Sequence, residues 1–293
     1  MLRVIYKGMV RDIIRLMRVK HYIKNVMIMM PLFFGGLLFT SRFFDVFIGT
    51  LAFSFAASIV YIFNDLCDME KDRLHPKKKN RPLASGKISK KTAKILIGGL
   101  SALSFSIMAG FGLGVRAMIT SAVFIVINIL YSSVLKNVPL LDVLILALGY
   151  VLRLYFGGVV SDIEISNWLF LTVMSLAFYL ALGKRRNELM QIGNDSRPVL
   201  KAYTEKFLDK NMYLCLSLTL VFYSLWSSYY AELYNSLFVF TVPIVVIICM
   251  RYSMNIEGDN SSGDPVEVVL SDKILLGMVA FFATIVLAIL YFL

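Results

Sequence analysis

Nine apolar runs, each close to the length a helix needs to cross a bilayer, recur along this chain and leave room for little else. They cover about 25–40, 43–63, 94–114, 117–135, 139–160, 167–183, 212–230, 236–252 and 274–293. Inside hydrocarbon each backbone polar group must find its partner within its own segment, so runs of this length are expected as helices. Composition agrees: 58% of the 293 residues are hydrophobic, 17% are charged, and the mean hydropathy is +0.74. The expected fold class is all-α, a polytopic integral membrane protein of nine transmembrane helices. Residues 1–24 are expected to form a separate basic amphipathic segment for the membrane surface, and 25–293 a single nine-helix transmembrane domain.

The net charge of +11 could point to nucleic acid, but the basic residues gather in the links between apolar runs. With the N-terminus inside, 27 of the 30 Lys and Arg residues fall on the inner side, as the positive-inside bias requires. Only Arg42 and Arg116 fall outside, and Arg153 lies within a run. This arrangement predicts a multi-pass protein of the cell membrane, with no nucleic-acid partner. The polar segments 64–93, 184–211 and 255–272 all fall on the cytosolic side, where the active site is expected. Cys67, Cys215 and Cys249 lie far apart without a CxxC pair and are expected as free thiols. The strongly basic lead-in, with no small-residue cleavage site, does not read as a cleavable signal peptide.

At the end of the second run the apolar sequence gives way to Asn64-Asp65-Leu66-Cys67-Asp68-Met69-Glu70-Lys71-Asp72. On a helix Asn64, Asp68 and Asp72 stack at four-residue spacing, with Asp65 beside them. Such an acidic helix end can simply be solvated, its carboxylates paired with Lys71 and Arg73. Four hard oxygen donors on one face, at membrane depth and next to a cationic loop, favour Mg²⁺ instead. That loop, through Lys77 and Arg81, can hold anionic charge the metal leaves uncompensated.

Other charged residues raise the same choice between anchoring and binding. Lys184, Arg185 and Arg186 follow the sixth run directly and can anchor it or bind phosphate; Glu188 orients those cations or ligates a metal or a ribose hydroxyl. Tyr131 and Lys136 flank a short inner link. Arg153 lies fourteen residues past Pro139, about 21 Å along a helix, and a cation that deep needs a polar cavity or a partner.

The segment Asn64 to Gly86, NDLCDMEKDRLHPKKKNRPLASG, resembles the first aspartate-rich motif (NDxxDxxxD) of the UbiA-type superfamily of membrane prenyltransferases. Its continuation HPxKxxRPLAxG is similar to the polyprenyl-phosphate phosphoribosyltransferase branch. So are Arg18 to Asn25, Tyr131 to Lys136, Arg153 with Gly157-Gly158, Gly183 to Leu189, and Gly263-Asp264-Pro265. The resemblance implies a nine-helix fold around a central cavity open to the cytosolic face, and transfer of a 5-phosphoribosyl group from phosphoribosyl diphosphate to a polyprenyl phosphate of the decaprenyl type, a cell-wall precursor. It implies Mg²⁺ on Asn64, Asp65, Asp68 and Asp72, with Asp65, Asp68, Asp72 and Arg153 catalytic. Lys24, Asn25, Lys77, Arg81, Tyr131, Lys136, Lys184, Arg185 and Glu188 would bind substrate.

The superfamily's second motif, DxxxD, has no counterpart here: the corresponding region reads GKRRNE, with Asp195 the one aspartate nearby. This departure counts against the first alternative, prenyl transfer from a polyprenyl diphosphate to an aromatic acceptor. A second alternative, an anion transporter, would be expected to show repeat symmetry and broken helices. Small-residue faces such as Gly98-Gly99 leave homo-oligomers possible.

Overall fold

The computed structural model describes residues 2–75, 78–192, 197–258 and 263–293. Among these residues the regular structure is helical throughout. Eight helices are long and apolar enough to cross a membrane: Arg42–Leu74, Lys90–Gly110, Val115–Ser133, Leu141–Ser161, Asn167–Gln191, Glu205–Leu233, Ser236–Glu257 and Lys273–Tyr291. In chain order the α-helices are α1 (Leu2–Met17), α2 (Met30–Phe34), α3 (Arg42–Leu74), α4 (Lys90–Gly110), α5 (Val115–Ser133), α6 (Leu141–Ser161), α7 (Asn167–Ile192), α8 (Glu205–Leu233), α9 (Thr241–Glu257), α10 (Pro265–Ser271) and α11 (Lys273–Tyr291).

The ninth expected span, 25–40, takes a different form. Its stretch of chain begins as the 3₁₀ segment Val19–Met29, continues as the five-residue α2, and turns at Gly35-Gly36, where Gly36 has φ +71°. Pro31 opens α2 and supplies no amide hydrogen to the turn before it. Asn25 and Arg153 add a polar contact beside the same stretch. An eleven-residue 3₁₀ run is long for that geometry, which usually marks a strained or functional segment.

The acidic stretch is helical, as its spacing predicts: α3 runs through Asn64 and Asp72 to Leu74. Ser89 caps α4 by accepting from Thr92 N–H at 3.1 Å, and Thr204 caps α8 by accepting from Phe207 N–H at 3.2 Å. α3 and α6 are the most enclosed of the eight long helices. α6 is the hub, packed against α7, α5, α3, α2 and the 3₁₀ segment. Close approach there depends on Gly157, where a Cβ would collide with the Ile28 carbonyl. Phe53, Phe124 and Phe156 pack together in this region, and Trp226 with Phe34, Tyr223 and Phe238 in the opposite half.

Candidate active site

The acidic face of α3 meets cations from three directions. Asp65 accepts from Arg18 Nη2 at 2.5 Å and from Arg81 Nη1 at 3.1 Å; the same Arg81 nitrogen reaches Asp72 at 2.6 Å. Asp68 accepts from Lys136 Nζ at 2.5 Å, and Asn64 Oδ1 accepts from Ser132 at 3.2 Å. The four motif residues therefore form two adjacent rows: 65 and 72 facing Arg18 and Arg81, 64 and 68 facing Ser132 at the C-terminal end of α5 and Lys136 just beyond it. Asp65 and Asp72 are 3% and 4% exposed, and carboxylates so enclosed must be paired.

Arg18 is held in the left-handed region, φ 53° and ψ 45°, at the break between α1 and the 3₁₀ segment. A non-glycine residue there carries backbone strain, and here the strain aims a guanidinium at Asp65. The sequence reading did not count Arg18 among the site residues. Its signals were its place in the basic series Arg11, Arg15, Arg18 and at the head of the Arg18 to Asn25 segment.

The second group gathers at the C-terminal end of α7. Arg185 is fully buried and donates to Asp142 at 2.5 Å, Glu188 at 2.6 Å and Tyr131 OH at 2.9 Å. Asp142 also accepts from Tyr203 OH at 2.6 Å, and Arg197 lies 3.5 Å from Glu188. α5 ties the two groups together, since Tyr131 reaches Arg185 while the next residue, Ser132, reaches Asn64. The loops also meet. Burial, with Arg197 and Arg81 close by, pushes the Lys78 ammonium below its ordinary value. Arg186 turns away and pairs with Asp209 on α8 at 2.5 Å.

Lys24 donates to Asp264 at 3.0 Å, and Lys184 acts on the same carboxylate. Burial works to raise the Asp264 carboxyl, but the two lysines outweigh it and hold it down to about 2. Burial and the cations Lys24, Arg18 and Lys184 lower the His21 imidazole to about 4, so it is neutral at physiological pH. Arg153 and Asn25 are brought to each other rather than to the acidic face. Arg153 Nε donates to Asn25 Oδ1 at 2.8 Å and Nη1 to the Gly149 carbonyl at 2.6 Å, with the guanidinium over Phe124 and Phe53. Lys77 and Asp195 lie outside the described residues.

Beside the mouth an apolar cavity of about 320 Å³ runs between α2, α7, α8, α9, α10 and α11. Met30, Phe34, Trp226, Tyr252, Pro265 and Val269 are among its walls.

The donor set on α3 suits Mg²⁺, because every candidate ligand is a hard oxygen on one helical face. Among the described residues no three His, Cys, Asp or Glu side chains converge into a closed metal cage. Mg²⁺ needs none: it binds through one or two carboxylates together with waters and substrate phosphates.

The sequence matches the UbiA prenyltransferase family over residues 28–268. A decaprenyl-phosphate phosphoribosyltransferase of Mycolicibacterium smegmatis is 31% identical, the alignment covering 92% of this chain and 89% of that protein. Its namesake in Corynebacterium glutamicum is 32% identical over 92% and 83%. A solved UbiA homolog from Archaeoglobus fulgidus bound to DMAPP and Mg²⁺ superposes with a TM-score of 0.70, covering 96% of this chain and all of that one at 19% identity, a likeness of fold. The long-range match and the shared fold lead to one assignment: the chain belongs to the UbiA prenyltransferase family.

Proposed function

We propose that this enzyme transfers a 5-phosphoribosyl group from phosphoribosyl diphosphate to a polyprenyl phosphate at the cytosolic face of the cell membrane. One observation carries the reading: a single acidic helix face is ringed by Arg18, Arg81 and Lys136, and the same bundle holds an apolar cavity walled by Pro265, next to the Asp264 that Lys24 pairs with. The named activity of the relatives at 31% and 32% identity supports it.

Asn64, Asp65, Asp68 and Asp72 would hold Mg²⁺, which supplies charge neutralisation for a departing diphosphate. The protein's own cations do the rest. Arg81, Arg18 and Lys136 leave the carboxylates for the donor's phosphates, and Lys24 and Lys184 meet the lipid phosphate at the end of the apolar cavity. The bond from ribose C1 to the diphosphate oxygen breaks, its electron pair leaving with the diphosphate. A lipid phosphate oxygen then bonds to C1. That oxygen is already anionic, so no strong general base is required, and catalysis is mainly positioning and charge stabilisation. Arg153, through Asn25, would set the 3₁₀ segment that carries Lys24.

Nine crossings with the N-terminus inside complete the proposal. The 3₁₀ rise of about 2.0 Å per residue, against 1.5 Å in an α-helix, lets the short 25–40 stretch cover more depth. Purified protein given labelled phosphoribosyl diphosphate and a polyprenyl phosphate should form a lipid-linked ribose phosphate only when Mg²⁺ is present. No such product from intact protein, or label-free transfer of a prenyl chain to an aromatic acceptor, would overturn the reading.

A further inference from the structure

Asp264 stands where the apolar cavity meets the cationic mouth, and the reaction proposed above gives it no task. Its Oδ2 accepts from Lys24 Nζ at 3.0 Å while its Oδ1 caps α10 by accepting from Val266 N–H at 3.0 Å. The next residue, Pro265, and then Val269 wall the cavity; Met30 and Phe34, shortly after Lys24 in the chain, wall it from the other side. The segment packs closely against α7: Gly263 has φ +69°, and a Cβ there would come within 2.9 Å of the Asn187 Cβ and 3.5 Å of the Lys184 Cα.

We infer that Asp264 limits the negative charge a lipid headgroup may bring to this mouth, so that a lipid monophosphate is accepted and a lipid diphosphate is refused. The inference rests on the acceptor-lipid reading of the cavity. Among the described residues Lys24 and Lys184 act on Asp264, and its carboxylate cancels part of their charge. His21, neutral at physiological pH, adds none. A monophosphate ester of roughly −2 finds enough positive charge left to bind. The further phosphate of a diphosphate meets Asp264, a charge of the same sign. Such placed repulsion is how a site rejects a close analogue while binding its proper ligand.

Lipid binding can be read without turnover, because Trp226 lines the cavity and the chain has two tryptophans. Full-length protein in nanodiscs, free of divalent ions, is titrated with a polyprenyl monophosphate and with the diphosphate of equal chain length while tryptophan fluorescence is followed. Wild type should prefer the monophosphate. Asp264→Asn keeps the helix cap, since Asn and Asp cap equally well, but removes the charge. It should narrow the preference about tenfold, chiefly by tighter diphosphate binding, equivalent to about 1.4 kcal/mol. Asp264→Glu should hold the wild-type ratio. An unchanged ratio in Asp264→Asn, equal weakening of both lipids, or no binding of either lipid by wild type would overturn the inference. An intact ratio without transfer from phosphoribosyl diphosphate would remove the reaction and leave the charge limit standing.

Discussion

Arg81 holds Asp65 and Asp72 through one nitrogen, so its loss affects both carboxylates unequally. Asp65 keeps Arg18, whereas Asp72 is left with no cation within ion-pair range among the described residues. Arg81→Gln is expected to cost about 1–3 kcal/mol of stability, read by thermal unfolding, and to raise the KM for the soluble donor at least about tenfold. A wild-type donor KM would show that Arg81 merely neutralises the helix. Asp68→Asn keeps size and helix context, and its effect falls on the metal role. Transfer should drop by about a hundredfold or more while the protein still inserts and unfolds like wild type. Undiminished turnover would remove Asp68 from the ligand set. His21 has a folded value near 4 against an ordinary 6.5, so the folded state binds fewer protons between these values. Stability from this group is complete above about pH 6.5 and is lost as pH falls towards 4. His21→Gln should flatten that part of a stability-against-pH curve; an unaltered slope would assign it to other groups.

At the level of helices, period and hydropathy made most of the structure legible. The eight long helices lie where apolar runs predict them, and four-residue spacing placed Asn64, Asp68 and Asp72 on one face of α3. The broken entry into the bundle was not legible, because 3₁₀ and α turns share the same apolar composition; Pro31 and the Gly35-Gly36 turn were the signals available. Pairings across the fold were beyond reach for a different reason. Nothing local links Arg18 to Asp65 or Lys24 to Asp264, 240 residues apart. Arg185 shows what this costs in interpretation. Its position after the sixth run reads as a phosphate ligand, yet its donors are turned to Asp142, Glu188 and Tyr131. As a brace among α5, α6 and α7 it should matter most for folding. Arg185→Met, which leaves buried Asp142 without an ion-pair partner among the described residues, is expected to destabilise by about 3–5 kcal/mol in denaturant unfolding. The packing of α6 gives an independent check. Gly157→Ala forces a methyl group onto the Ile28 carbonyl and should cost about 1–3 kcal/mol, with Gly149→Ala much milder because its nearest neighbour, Arg153 Nη1 at 3.5 Å, stays at ordinary contact distance.

For the molecule as a whole, the decisive question is which face of the membrane holds the charged mouth, since a multiply charged soluble donor can reach only one. The ion pair from Arg18 to Asp65 fixes α1 at the same end of the bundle as the acidic face of α3. The Lys and Arg residues crowd that end too, with 27 of 30 on the proposed cytosolic side. Cys67, exposed one residue before Asp68, is a natural reporter, while Cys249 is buried and Cys215 half-buried among apolar neighbours. In a Cys215→Ser, Cys249→Ser background, a membrane-impermeant maleimide should label Cys67 in inverted vesicles and leave it untouched in intact cells. The broken first span needs its own reporters. Met9 and Ser41 are both exposed and flank it, so with Cys67→Ser added, Met9→Cys should label from the cytosolic side and Ser41→Cys from the opposite one. Labelling of both from one side would mean that 25–40 enters and turns back, leaving eight crossings. Labelling of Cys67 from outside would invert the protein, strand its mouth from a cytosolic phosphoribosyl donor, and remove the topological support for the proposed reaction.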